Sequence, residues 1–330
     1  MSFELIKRQI IKRGRLANIL WPLRSNGLYC FNFHRIGDAS NTPFDPCVYS
    51  CDQENFKQYI LFLREHFRII DMKELDQIIT QGKKVREKLA LITFDDGYYD
   101  NYEIAYPILK AYKVPATFFV TTSLISSNTI PWWDEIAWHV KCLAGKSVKL
   151  SIWPEAITLP DKVDADIIRR ILGKVKSFPA QINSQLSELQ ALTQQEVPSA
   201  LSQQLFMQWC HLTELENNSI TIGAHSHTHR ILSSLSPKDL TYELTESKRL
   251  LEQHLSHPIE SLSYPVGGES TYQKTMFTLL NKLGYHVGFT FRPYVNRRIQ
   301  KNRYELGRLS IDRPFNEQFL KEMILTSPKH

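Results

Sequence analysis

The sequence predicts an α/β protein whose parallel strands close into a (β/α) barrel, and three observations carry that prediction. Short apolar or β-branched runs recur along the chain. Segments of helical periodicity separate most of them, the alternation that a parallel sheet requires. There are many such runs, in a chain of 330 residues whose 42% hydrophobic content suffices for one large core, which favours a barrel over a small open sheet.

Taken in order, residues 1–27 form a basic amphipathic segment. Lys7, Arg8, Lys12, Arg13, Arg15 and Arg24 stand against Glu4 within the first 24 residues, so five of the six net positive charges sit there. The rest of the chain is close to neutral, which argues against a broad nucleic-acid-binding surface. Interleaved Phe3, Leu5, Ile6, Ile10 and Ile11 suit either a helix on an anionic membrane surface or a helix flanking the barrel. No uninterrupted apolar stretch is long enough for a signal peptide or a membrane span. The five cysteines are odd in number, scattered and without CxxC spacing, and read as reduced thiols. The expected location is cytoplasmic, peripheral at the inner membrane face if residues 1–24 bind lipid.

Strand candidates follow at 28–34 (LYCFNFH), 67–71, 88–94 (KLALITF), 116–120, 219–225 (SITIGAH), 260–265 and 286–291, with helical patterns over 53–66, 100–112, 237–256 and 271–283. The 237–256 helix carries a start signal: Ser236 as cap, Pro237 in the first turn and Asp239 near the positive end. The rhythm breaks between about 125 and 215, where a polar, Gln- and Ser-rich stretch offers VKLSIW as its one strand candidate. That stretch reads as a largely helical insertion lying over a barrel domain of residues 28–330.

Two polar signals end apolar strands. LITFDDGYYD places Asp95 and Asp96 side by side, although alternation along a strand would point them apart; both serve one site only if the strand ends there and Gly97 turns the chain. IGAHSHTH places His225, His227 and His229 within five residues, a metal-type cluster in which spacing alone permits either pairing. Two histidines and a carboxylate leave open positions for water and substrate. One aspartate then binds the metal while its neighbour takes a proton from the metal's water, and the cation relieves the repulsion between them.

TFDDG together with HSHTH resembles the first two motifs of the NodB-type polysaccharide deacetylases, carbohydrate esterase family four, over about residues 28–313 outside the insertion. The resemblance implies a metal-dependent amide or ester hydrolase on a distorted (β/α) barrel that removes acetyl groups from sugars. Carried over by position, it implies Asp95 as general base and Asp96, His225 and His229 as ligands of one divalent ion, zinc foremost, with Ni, Co or Fe as alternatives. His227 falls at a variable position. LSYPVGG resembles the YP-x-G form of the third motif, which places Tyr264 and Pro265 on a wall of the site. The arginine that pairs with the base in familiar members is missing there, and Arg308 in YELGRLSID is the candidate replacement, a surface arginine being the alternative. No L-x-H motif follows near the C-terminus. LYCFNFHRIGD instead resembles the YHxI-type first strand of a rearranged branch, which implies His34 as general acid.

Backbone near Tyr264 or Tyr98 is a candidate oxyanion donor. Trp132 and Trp133, which open the insertion, either stack on a pyranose face or anchor a helix. The reading is a hydrolase of carbon–nitrogen bonds other than peptide bonds, acting on an N-acetylated sugar of a cell-surface glycan or its precursor, lipid-linked if the N-terminus binds membrane. An O-acetyl esterase and an inactive glycan-binding module are the competing readings.

Overall fold

Residues 16–255 and 257–330 are described by a computed structural model. The strands are β1 (Gly27–Phe33), β2 (Arg35–Ile36), β3 (Tyr49–Cys51), β4 (Arg68–Ile69), β5 (Lys88–Phe94), β6 (Ala116–Val120), β7 (Ser147–Val148), β8 (Ile157–Thr158), β9 (Ile220–Ala224), β10 (Ser261–Ser263), β11 (Val287–Phe289) and β12 (Arg308–Ser310). One parallel sheet runs in the order β11-β10-β9-β6-β5-β1-β12, with β4 also pairing β5. Its two ends approach each other: the Thr290 N–H donates to the Leu306 carbonyl at 2.8 Å and the Leu306 N–H to the Gly288 carbonyl at 3.0 Å. The sheet is thus a nearly closed barrel.

Alternation within the strands separates two apolar layers. Tyr29, Phe31, Phe33, Ala90, Ile92 and Phe94 face the surrounding helices and belong to the large outer core. Leu28, Cys30, Leu89, Leu91, Phe119 and Phe289 fill the barrel interior. Continuing the inward face of β1 and β5 upward gives Asn32, Thr93 and then Asp95, so the interior passes from apolar to polar toward the strands' C-terminal ends. Gly223 is required in β9, because a Cβ there would lie 2.5 Å from the Phe119 ring that fills the barrel.

Around the sheet lie α1 (Leu16–Leu20), α2 (Gln53–His66), α3 (Met72–Thr80), α4 (Tyr106–Ala111), α5 (Trp132–Cys142), α6 (Ala165–Lys176), α7 (Ile182–Thr193), α8 (Trp209–Glu216), α9 (Pro237–Leu255), α10 (Phe277–Lys282) and α11 (Glu317–Thr326). Asp52, Asp71 and Asp164 cap α2, α3 and α6 through their side chains. The Ser236 Oγ accepts from the Asp239 N–H at 3.2 Å, as the start signal of α9 predicts. Two expected helices are shorter than their patterns: 100–112 begins with a π-helical turn over Asn101–Ala105, and 271–283 holds helix only from Phe277, after a 3-10 turn.

The insertion has α5, α6 and α7 around its own core of Ile136, Val140, Trp153, Ile171, Leu172 and Leu189. Within VKLSIW only Val148 is strand, in the short antiparallel pair β7–β8. The following helix α8 packs on β9 and α9, so it belongs to the barrel and the insertion ends before it.

Of the basic N-terminal segment, residues 16–24 flank the barrel. Ala17 and Trp21 are buried, Trp21 packs on Phe62 and Phe67, and Lys321 donates to the Asn18 Oδ1 at 3.0 Å. Residues 1–15, with Lys7, Arg8, Lys12, Arg13 and Arg15, lie outside the described residues. Among the described residues no helix is long and apolar enough to cross a membrane, and all five cysteines are free.

Candidate active site

The polar end of the barrel opens into a cavity of about 490 Å³. Strand β5 ends at Phe94, and the next residues take left-handed backbone: φ is +76° at Asp96 and +93° at Gly97. That turn brings both carboxylates to one cavity. Gly97 tolerates it for lack of a Cβ, which would otherwise press on Val120 and Ile125 at 3.1–3.2 Å.

A second turn follows β9. Ser226 and His229 have φ of +61° and +57°, and the Ser226 Oγ accepts from the His229 N–H at 3.0 Å. From α9, the buried Glu243 accepts from the His227 and Thr228 N–H groups at 3.0 and 2.8 Å and from the Thr228 hydroxyl. The loop so held returns His229 to the side of His225. His227 points elsewhere, with its Nδ1 2.9 Å from the Thr122 hydroxyl and its ring against Tyr242.

Asp96, His225 and His229 each offer a ligand atom, all within 4.8 Å of one another, and each histidine Nε2 lies 3.4 Å from Asp96 Oδ1. Ligands of a tetrahedral zinc at about 2.1 Å stand about 3.4 Å apart, so the spacing fits one small divalent ion. The His225 Nδ1–H donates to the Ser263 carbonyl at 2.8 Å, which leaves the Nε2 lone pair for the ion. His229 is oriented differently: its Nδ1 meets no hydrogen-bond partner among the described residues, and the Trp133 ring packs against it at 4.4 Å between centroids.

Asp95 is held by Arg308. Two parallel bonds of 2.7 Å join Nη1 to Oδ1 and Nη2 to Oδ2; the same guanidinium donates to Asn32 Oδ1 at 2.6 Å, Ser263 Oγ at 2.8 Å and the Thr290 carbonyl at 3.0 Å. Arg308 is 1% exposed, which removes the surface-arginine alternative. Burial opposes ionisation of Asp95, but the guanidinium outweighs it and holds the carboxyl well below the usual range. For Asp96, burial is likewise outweighed, by His225 and His229, and its carboxyl is also lowered. His34 lines the same cavity just beyond β1, its ring against Phe291. Burial pulls its pKa down, and the nearby carboxylates of Asp96 and Asp95 oppose that pull.

The aromatic candidates take different places. Tyr98 is fully buried beside the cavity, its hydroxyl donating to Asp134 at 2.8 Å and accepting from the Trp133 Nε1–H at 2.8 Å, so its ring is a strut between barrel and insertion. Tyr264 lines the cavity, as expected of the third motif, but its N–H is bonded to the Phe289 carbonyl at 3.0 Å and its hydroxyl to the Tyr304 carbonyl at 2.7 Å, so neither is a free donor for substrate. Trp132 lines a separate groove with Thr129, Ile130 and Leu186, and Pro265 is buried outside the cavity wall. Trp133 does line the cavity. Beside Pro265, Val266 also lines it at φ +63°, a backbone conformation that a β-branched residue holds only when its surroundings impose it.

The sequence reading missed Asn32 and Ser263 around Asp95, Glu243 behind the histidine loop, and Asp45, Arg169 and Lys176 on the cavity wall. Period-two alternation could have found the first two, since Asn32 and Ser263 fall on the inward face of their strands. Arg169 and Lys176 lie in the insertion and carried no motif.

Fold and site together define a parallel-barrel protein with a two-histidine, one-carboxylate centre at the C-terminal mouth of its strands. The chain belongs to the polysaccharide deacetylase family, whose model matches residues 82–173 and 175–288. YxkH of Bacillus subtilis is 25% identical over 260 residues, 78% of this chain and 64% of that protein. The poly-beta-1,6-N-acetyl-D-glucosamine N-deacetylase of Staphylococcus aureus (strain MSSA476) is 30% identical over 124 residues, 34% of this chain. The chain thus spans 64% and 42% of the length of these two relatives. The fold is that of the Streptococcus pyogenes deacetylase PplD (TM-score 0.59, 17% identity, 91% of this chain and 99% of that one). IcaB from Ammonifex degensii shares it (TM-score 0.56, 16% identity, 92% and 98%).

Proposed function

We propose that this protein is a metal-dependent hydrolase that removes the acetyl group from an N-acetylated sugar of a glycan. The observation that carries the reading is the juxtaposition of an Asp96–His225–His229 triad with a second, separately held carboxylate, Asp95. A divalent ion held by the triad, zinc by its ligand set, would polarise the acetyl carbonyl and acidify a water. Asp95 is the proton acceptor for that water. Its pairing with Arg308 keeps it ionised and aimed, at the cost of basicity. His34, in the wall of the same cavity, is the donor for the departing amine, since amide cleavage needs the nitrogen protonated. Trp133 and Val266 shape the wall where the sugar lies. The staphylococcal relative's name supports an N-acetylated polymer as the substrate class.

The test is acetate release from N- and O-acetylated oligosaccharides by purified protein, before and after chelation and after zinc is restored. Chelator-sensitive release from N-acetylated sugars is the expected result. Release from O-acetyl esters alone would make the protein an esterase, and glycan binding without release would make it a binding module.

A further inference from the structure

The cavity wall opposite the barrel comes from the insertion. Arg169, Leu172 and Lys176 fall at i, i+3 and i+7 of α6 and form one stripe, and all three line the cavity above the Asp96–His225–His229 centre. Ile168, Ile171 and Val175 occupy the adjoining face, in the insertion's own core, and Leu172 at the border belongs to both. The stripe is therefore fixed by the packing of α6 rather than free to turn away.

Charges in this cavity are partnered, with one exception. Asp95 has Arg308, Asp96 has the two histidines, and Asp312 has Arg313 at 3.0 Å. Arg169 Nη2 lies 3.2 Å from the Oδ2 of the buried Asp45. Lys176 has no carboxylate within ion-pair distance among the described residues; its ammonium lies 5.7 Å from the centroid of the Trp132 ring. It is half-buried; burial and Arg169 push its pKa down to about 8 against the upward pull of the more distant Asp45 and Asp96, so it is mostly charged at neutral pH. A half-buried ammonium that no carboxylate contacts is unfavourable unless something in the site's working cycle supplies a partner.

We infer that Lys176, with Arg169 beside it, forms a subsite for an anionic substituent of the glycan, a carboxylate or a phosphate, held next to the acetylated sugar. This rests on the deacetylase reading and adds a substrate class to it. An ammonium is a point-charge partner for either group, and the Arg169 donors not turned to Asp45 add directional bonds. The insertion then acts as the specificity element, set over chemistry supplied by the barrel.

The experiment compares kcat/KM for acetate release from three substrates: an N-acetylglucosamine–glucuronate oligosaccharide, UDP-N-acetylglucosamine, and a neutral N-acetylchitooligosaccharide. Zinc-loaded wild type should favour at least one anionic substrate by about tenfold at low salt, and added salt should shrink that ratio. The preferred one identifies carboxylate or phosphate as the ligand. Lys176→Met should bring the ratio close to one, Lys176→Arg should keep most of it, and metal content should be the same in all three proteins. A wild-type ratio near one, or a ratio that Lys176→Met leaves in place, overturns the proposal; equal loss on all substrates would mean that Lys176 acts on the reaction itself. If wild type releases acetate from none of them, the deacetylase reading fails on its own. Calorimetric affinities then decide the subsite: weaker binding of the anionic oligosaccharide to Lys176→Met supports it, and equal binding refutes it.

Discussion

Arg308→Met removes the partner of a carboxylate that stays buried, and its cost can be worked from the contacts. The side chain makes both bonds to Asp95 and also satisfies Asn32 Oδ1 and Ser263 Oγ. Breaking a buried pair from one side typically costs about 3–5 kcal/mol, because the remaining charge is left uncompensated. The loss should depend on pH in a defined direction. In wild type the folded-state pKa of Asp95 is depressed, so its contribution is present above the unfolded value of about 4 and is lost as pH falls through the depressed value. In the variant, burial without Arg308 raises that pKa, the native state holds a proton that the unfolded chain releases, and stability falls as pH rises above about 4. His225 Nε2, 4.0 Å from Asp95 Oδ2, softens the loss at low pH when it is protonated. Urea unfolding of metal-free protein should therefore show a wider gap between wild type and Arg308→Met at pH 8 than at pH 5. Adding Asp95→Asn should recover much of the lost stability while leaving the protein inactive. A gap below about 1 kcal/mol, against the expected cost of a broken buried pair, or one equal at both pH values, would refute the reasoning.

Elemental analysis should find His225→Ala, His229→Ala and Asp96→Asn depleted of their divalent ion and His227→Ala loaded like wild type, since only the His227 ring is turned to Thr122. Asp95→Asn should keep the ion and lose turnover; His34→Ala should also keep it while kcat drops about 10²-fold or more, the scale of a positioned general acid. A His34→Ala rate near wild type would return that residue to a packing role. Burial pushes Asp134 up to about 7, so the native state binds a proton there that the unfolded chain has released, and this group lowers stability as pH rises from about 4 to 7. Asp134→Asn should flatten that part of the curve of melting temperature against pH; an unchanged slope would show that the group is ionised throughout.

The parallel barrel was readable because its strands are continuous apolar runs between helical patterns, a simple consequence of burying both faces of a sheet. The Asp96–His225–His229 cluster was readable because its members end two such runs, and because the two histidines stand only four residues apart. Arg308 was half-readable: the missing charge was evident in LSYPVGG, but only the closing of the barrel brings β12 across β1 to β5. The engagements of Tyr98 and Tyr264 were not legible, for one reason. An aromatic beside a motif is visible in sequence, whereas the carbonyl or carboxylate that engages its polar end comes from 36 or 40 residues away, as Asp134 does for Tyr98 and Tyr304 for Tyr264. Lys176 gave no signal, since its meaning depends on which face of α6 the insertion's core selects.

The route by which Asp95 acquires its partner has a consequence for biosynthesis. A ribosome delivers Asp95 more than 200 residues before Arg308. Until the last strand emerges and docks, every nascent intermediate that packs β5 must leave this carboxylate wet, protonated or leaning on His225. A chain ending after β11 would hold Asp96, His225 and His229 and still lack the guanidinium. A prematurely terminated product would thus leave Asp95 at the barrel mouth without its partner, whereas full-length synthesis joins the first and last strands and supplies the guanidinium in the same event.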